Sequence, residues 1–275
     1  YDEVKSHQWD ALAQPSGFGF NWSSNYTVYL ETLEQFDFTD GTSGMLDRSI
    51  YDDATEIDPN WFFEMRDPRM KASIFYPGSS FKGGTVHFHR SMSGSLSGWP
   101  RTGPSKHIGS MATGLLIRKR TNPETPDATR SSTDYIIFRL GEIILNYVEA
   151  AFYLNDPNGD MLANLNNLRD RAGMPSLSIG QVSQDKIRQE RRCELAFEEH
   201  TFWDLRRWRI AVEELDNKQR HRLHYRYNAN TKKYTIEMAP GDLGGVRLHP
   251  PRNYYYALGL SRLADNPKLI ENPGY

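Results

Sequence analysis

The stretch IRQERRCELAFEEHTFWDLRRWRIA, residues 187–211, holds six arginines and five acids among apolar residues and little else. It can be read as a catalytic cluster, a nucleic-acid stripe or internal scaffolding. On a helix, Glu190, Glu194 and Glu198 share one face at spacing four, Arg191 reaches Glu194 at spacing three, and Asp185 reaches Arg188 likewise. Three acids in line repel one another unless cations sit among them, and Arg139, Arg169 and Arg171 on the preceding helices can supply those cations. Buried charge must be paired, and a planar guanidinium bonds a carboxylate at two points. The stretch therefore predicts that Arg139, Glu142, Glu190, Arg191 and Glu194 join packed helices through ion pairs. A glycoside hydrolase would use two of the same carboxylates as acid and base, but acids on successive turns of an arginine-rich helix fit ion pairing better. A helical metal site needs Glu-x-x-His on two helices, and this stretch offers His200 once.

Outward from that stretch, the pattern is helical from about Ser131. STDYIIFRLGEIILNYVEAAFYL, residues 132–154, is apolar nearly all round and predicts a buried helix. A second helix follows over residues 160–173, with Leu162, Leu165 and Leu168 at spacing three, Gly173 as its stop and Pro175 beyond. A third is expected from Gln184 to about Glu199, and Thr201 with Asp204 gives a capping-box-like start to a fourth. Short joins between such helices predict stacked helical hairpins. In HYRYNANTKKYTIEM, Tyr225 and Tyr227 alternate before a polar turn, and Tyr234, Ile236 and Met238 alternate after it, which predicts a β-hairpin. Residues 1–130 are instead rich in Gly, Ser, Pro and aromatics and read as long loops. The chain thus divides into a loop-rich part, 1–130, and a helical part with hairpin and tail, 131–275, within one structural domain. No tandem repeat of fixed period is visible.

Composition narrows the function. Lys and Arg total 33 against 35 Asp and Glu, a net charge of −2, which argues against a general nucleic-acid binder. Six Trp, 15 Tyr and 13 Phe provide rings that stack on flat apolar faces, including those of sugars. A single cysteine, Cys193, excludes an intrachain disulfide. No run approaches the ~20 apolar residues of a membrane helix.

Six blocks in order and spacing then carry a resemblance. DYIIFRLGEIILNYVEAA, LNNLRDRAGMP, IRQERRCELAFEEHTFWDLRRW and the closing NPKLIENPGY, with MRDPRMKASIF and GLLIRKR upstream, are similar to the signature blocks of the SusD/RagB family over roughly residues 32–275. The resemblance implies a mainly α fold of tetratricopeptide-like helical hairpins wrapped by long irregular loops, with a small β-hairpin. It implies a surface-exposed lipoprotein of the Bacteroidetes outer membrane that binds glycans and delivers them to a SusC-like TonB-dependent transporter. Such proteins are not enzymes and need no cofactor. Membrane contact is expected only through a lipid anchor outside this chain, which matches the C-terminal half of the family. Two departures, Gly141 for the family's usual Ala and His200 for a small residue, concern helix packing. Peptide uptake in the manner of RagB is the alternative, with glycoside hydrolysis behind it.

Because the arginine–glutamate block is common to members with different ligands, it cannot itself read a ligand, and specificity is expected on the loops. Trp203, Trp208 and Trp61 lie in apolar contexts and are assigned to the core. Trp9, Trp22 and Trp99 lie in Gly/Ser/Pro-rich loops and are the expected ligand platform, with Tyr76 and Arg90; Asn21, His87 and His89 are weaker neighbours. His87 and His89 without a third ligand make a poor zinc site and read as exposed hairpin histidines, so no metal is expected. PGSSFKGG lacks the frame of a phosphate loop, and GSLSG lacks the strand and helix of a nucleophile elbow.

Overall fold

The computed structural model describes residues 6–16, 18, 26–88, 106–108, 113–156, 158–228, 230–241 and 245–275. Apart from 3₁₀ turns, the elements are α1 (Trp9–Ala13), α2 (Leu30–Leu33), β1 (Asp52–Ile57), a π-helical turn (Asn60–Glu64), α3 (Pro68–Ser73), β2 (Ile74–Phe75), β3 (Ser80–Phe81), β4 (Gly84–Phe88), β5 (Lys106–Ile108) and β6 (Leu116–Ile117). There follow α4 (Leu140–Tyr153), α5 (Met161–Arg171), α6 (Gln184–Glu194), α7 (His200–Arg207), α8 (Ala211–Leu215), β7 (His221–Asn228), β8 (Lys233–Pro240) and α9 (Leu260–Asp265). The fold is mainly α with small sheets.

The hairpin forms where alternation places it. Tyr227 pairs with Tyr234 and Tyr225 with Ile236, and β1 adds to the β8 edge. Tyr225, Tyr234 and Ile236 are buried. They join Phe62, Phe63 and Phe75 from the first 130 residues and Cys193 from α6 in one core cluster, so both parts of the chain share a core. Gly114 makes part of that packing possible. It sits at φ +71, and a Cβ there would stand 2.3 Å from the Leu223 carbonyl oxygen.

α5 forms as expected, ending before Gly173 at φ +75. With α4 and α6 it encloses a second cluster of Val148, Ala151, Met161, Leu165 and Ile187. The long apolar segment before it differs from expectation. Residues 132–139 are not helical, and α4 begins at Leu140 with Arg139 extended at φ −150, ψ 166. From that extended position Arg139 reaches across to Glu194 and Glu198. Leu145, Val148 and Ala151 of α4 are buried, but Ile137, Phe138 and Leu140 are 78%, 70% and 72% exposed. In the described residues, α5 and α6 cover only one side of α4.

α6 also stops short of Glu199. Arg139 and Lys119 both donate to the Glu194 carbonyl oxygen, at 2.6 and 3.2 Å. That oxygen would otherwise take the Glu198 amide, which bonds Leu195 instead. Phe197 and Glu199 then turn through the left-handed region, at φ 60 and 67. α7 starts at His200, so Thr201 lies inside the helix and does not cap it.

Candidate functional site

The charged block is the first candidate site, and cations hold the carboxylates of its Glu190, Glu194 and Glu198. Glu190 accepts from Arg69 at 2.6 Å and Arg169 at 2.7 Å. Glu194, 3% exposed, accepts from Arg69 at 3.0 Å, Arg139 at 2.6 Å and Arg171 at 2.7 Å. Glu198 meets Arg139 at 2.8 Å and Lys119 at 2.5 Å. Glu142 reaches His200 at 3.6 Å. Arg191 departs from its expected partner: it bonds Asp204 at 2.6 Å and Asn146 at 2.7 Å, tying α6 to α7 and α4.

Burial pushes the Glu194 and Glu198 carboxyls up, but bonds from Arg139, with Arg69 on one and Lys119 on the other, more than offset it, and both pKa values are lowered. A carboxylate held ionised in this way is a poor general acid. The block is internal scaffolding. Its keystone, Arg69, escaped the sequence reading. Asp67 caps α3 by accepting the Arg69 amide at 2.9 Å, Pro68 occupies the first turn, and this turn aims the guanidinium at α6.

A cleft of about 950 Å³ opens between α1, the α6–α7 turn, α8 and the segment entering β7. One wall is a stack. Trp9 lies on Tyr26 with ring centroids 5.0 Å apart and planes at 18°, and its indole N–H donates to the Lys119 carbonyl at 3.3 Å. The Arg120 guanidinium carbon lies 4.2 Å from the Trp9 ring and 5.0 Å from that of Tyr135, whose hydroxyl donates to Glu199 at 2.6 Å.

Phe202 and Trp203 also line the cleft, 40% and 57% exposed, edge to face at 5.1 Å. Their exposure follows from α7's rotation. Arg191 draws Asp204 inward, Leu205 buries beside it, and the two rings are left facing outward. This corrects the assignment of Trp203 to the core. Arg206 lies 5.0 Å from the Phe202 ring and 4.9 Å from that of Tyr256, extending the aromatic surface beyond the cleft. Lys218, Arg220, Arg247 and His249 are among the other lining residues, with Glu31, Arg192 and Glu214.

Of the residues singled out as ligand platform, Trp9 lines this cleft. Tyr76 lies in the core, 5% exposed, stacked on Phe63 at 4.8 Å and donating its hydroxyl to Glu64. Trp22, Trp99 and Arg90, with Asn21 and His89, lie outside the described residues. His87 is 4% exposed and so is not the expected surface histidine; β4 turns it inward. Trp61 is 42% exposed and stacks on Phe38 at 5.4 Å, where a core position was expected. Trp208 is half-buried and donates to Glu149 at 2.9 Å. Among the described residues no group of three His, Cys, Asp or Glu could hold a metal, and no helix is long and apolar enough to cross a membrane. Tyr26, Arg120, Phe202 and Trp203 were missed as lining residues; the only sequence signal was an adjacent aromatic pair beside an inward-facing Asp-Leu.

A model of the SusD family matches residues 4–275. A SusD-like protein from Bacteroides fragilis NCTC 9343 superposes with a TM-score of 0.70 at 26% identity, covering 98% of this chain and 50% of that one. A SusD superfamily protein from Bacteroides vulgatus ATCC 8482 gives a TM-score of 0.55 at 15% identity, over 96% and 47%, a likeness of fold. SusD-like protein P2 of Formosa agariphila is 32% identical over 93 residues, 30% of this chain and 18% of that protein. The chain spans about half the length of the two solved structures.

Proposed function

The chain belongs to the SusD family, and from that premise we propose that it is part of a glycan-binding, non-catalytic protein of the Bacteroidetes outer-membrane surface. The whole protein passes its ligand to a SusC-like TonB-dependent transporter. The observation that carries this reading is the cleft lined by two aromatic pairs, Trp9 with Tyr26 and Phe202 with Trp203. A pyranose presents a flat C–H face to such rings and its hydroxyls to flanking Arg, Lys and Glu side chains. The platform comprises Trp9, Trp203 and Phe202, with Trp22, Trp99 and Arg90 from the glycine-rich loops. Tyr76 leaves the set because its ring is buried.

Two experiments on the full-length protein test the reading. Calorimetry against a saccharide panel should give affinity without product; peptide binding in place of saccharide binding would favour the RagB-like role, and cleavage would favour a hydrolase. Co-purification from solubilised outer membranes should recover a large β-barrel, whereas free protein in every fraction would refute the partner.

A further inference from the structure

One turn serves both the scaffold and the cleft. The Thr121 amide and hydroxyl donate to the Arg118 carbonyl at 2.9 and 2.6 Å, which closes the turn over residues 118–121. Within it Lys119 reaches into the scaffold, to Glu198 at 2.5 Å and the Glu194 carbonyl at 3.2 Å. Arg120 lines the cleft instead, from a left-handed backbone at φ 67. Just past the turn, the Asn122 amide donates to Asp10 at 2.8 Å, which ties the turn to the helix that carries Trp9. A non-glycine residue in the left-handed region carries strain, and such strain collects where a structure holds a group ready for a ligand.

The Arg120 guanidinium lies over the Trp9 ring at 4.2 Å and the Tyr135 ring at 5.0 Å. These ring contacts hold it in place and leave its N–H donors unused. Among the described residues it has neither an acidic partner nor a hydrogen-bond acceptor, and its Nε is buried without one. Glu199, exposed, lines the same cleft and is also left-handed, at φ 67. Its Oε2 accepts the Tyr135 hydroxyl at 2.6 Å, and it forms no ion pair among the described residues. Two opposite charges thus line one cleft and touch one tyrosine without pairing. On the α6 face, by contrast, Glu194 alone gathers three guanidinium groups.

We propose that Arg120 and Glu199 are specificity-determining residues, which together read two adjacent hydroxyls of a neutral saccharide in this cleft. The proposal rests on the glycan-binding reading and specifies its ligand class as neutral sugars with a free vicinal diol. A sugar hydroxyl both donates and accepts. Arg120 can therefore donate to one oxygen while Glu199 accepts from its neighbour, both as charge-assisted bonds. Because the ring contacts hold the guanidinium beforehand, less ordering is left to be done on binding. A uronate or sulfate would suit Arg120 but meet the Glu199 carboxylate as a like charge, so the pair selects against acidic sugars.

The test uses the full-length protein. An array of neutral, uronate-bearing and sulfated glycans supplies the best binder, and calorimetry then compares that glycan with its monodeoxy derivatives. The best binder should be neutral, and loss of either of two adjacent hydroxyls should weaken it at least ~10-fold, since hydrogen bonds to charged groups are strong. Arg120→Gly removes the guanidinium at a φ that glycine adopts freely, and Glu199→Gln removes the charge but keeps an acceptor for Tyr135. Each variant should melt near the parent, bind the intact glycan at least ~10-fold more weakly, and become indifferent to one of the two deoxygenations. A side chain that only packs the cleft would leave both sensitivities in place. Should Arg120→Gly fail to fold, Arg120→Lys, which keeps the charge without the planar fork, serves in its place. If an acidic glycan binds best, if no adjacent pair of hydroxyls matters, or if folded variants keep the parent's affinity or both sensitivities, the inference is overturned while the glycan reading stands. If no saccharide binds, both fall.

Discussion

The face of α6 and the rim of the cleft are built from the same residue types and behave in opposite ways. Under α4, α5 and α7, Glu190, Glu194 and Glu198 are nearly dry and held by Arg69, Arg139, Arg169, Arg171 and Lys119. At the rim, Lys218 is exposed and meets no carboxylate among the described residues, while Phe202 and Trp203 stand in solvent. Saturated charge beside buried apolar residues marks scaffold, because an unpaired ion in that setting is too costly to keep. Unsaturated charge beside exposed rings marks a surface that can take a ligand. Arginine density alone does not separate the two.

The sharpest way to break this comparison is to remove a scaffold carboxylate. Glu194→Ala strands three guanidinium groups around a buried position and should cost ~3–5 kcal/mol in a denaturant titration. Lys218→Ala at the rim should stay within ~0.5 kcal/mol of the parent. Equal costs would erase the distinction.

Acid should dissect the scaffold next. Against the upward push of burial, bonds from Arg139, with Arg69 on one and Lys119 on the other, hold the Glu194 and Glu198 carboxyls below the ordinary glutamate range in the folded state. Their contribution to stability is therefore present above about pH 4.5 and is lost as pH falls through the folded values. Melting temperatures should decline on acidification below that point, and Glu194→Gln with Glu198→Gln should flatten the decline. An unchanged slope in the double variant would show that other groups carry it.

On the cleft side, a ring stacked on a sugar is a hot-spot contact, and Trp203→Ala should cost ~2 kcal/mol of binding with little change in melting temperature. The smallest effect is expected at Gly141. A Cβ there would stand 2.5 Å from Arg139 Nη1 and 2.9 Å from Glu194 Oε1. Both atoms end flexible side chains, so Gly141→Ala should shift stability by less than ~1 kcal/mol, the helix-propensity gain partly offsetting the displaced pair. A loss above ~2 kcal/mol in a denaturant titration would mean that the ion pairs tolerate no movement.

The sequence reading succeeded where local rules suffice. Tyr225, Tyr227, Tyr234 and Ile236 announced the hairpin by alternation, and Leu165, Leu168 and Gly173 fixed α5 and its end. The acids at 190, 194 and 198 announced scaffolding, because helical spacing lines them up and burial then demands partners. What escaped notice depends on contacts made through space. Arg69 meets α6 across 121 residues of sequence. The exposure of Trp203 follows from the Arg191–Asp204 bond that rotates α7, and the early end of α6 from Arg139 and Lys119 taking the Glu194 carbonyl. The exposed flank at Ile137 and Phe138 was unreadable because an apolar pattern reports that a side chain can be buried, not that a neighbour in this chain covers it.

The most direct test of the account measures calorimetric affinity for the best-bound glycan and melting temperature on the same full-length variants, Glu194→Ala, Trp9→Ala and Trp203→Ala. The account predicts that Glu194→Ala lowers the melting temperature while its folded fraction binds normally, and that the tryptophan variants melt near the parent while Trp203→Ala binds about 30-fold more weakly. A Glu194→Ala protein that melts like the parent and no longer binds or cleaves glycan, beside tryptophan variants of unchanged affinity, would contradict it.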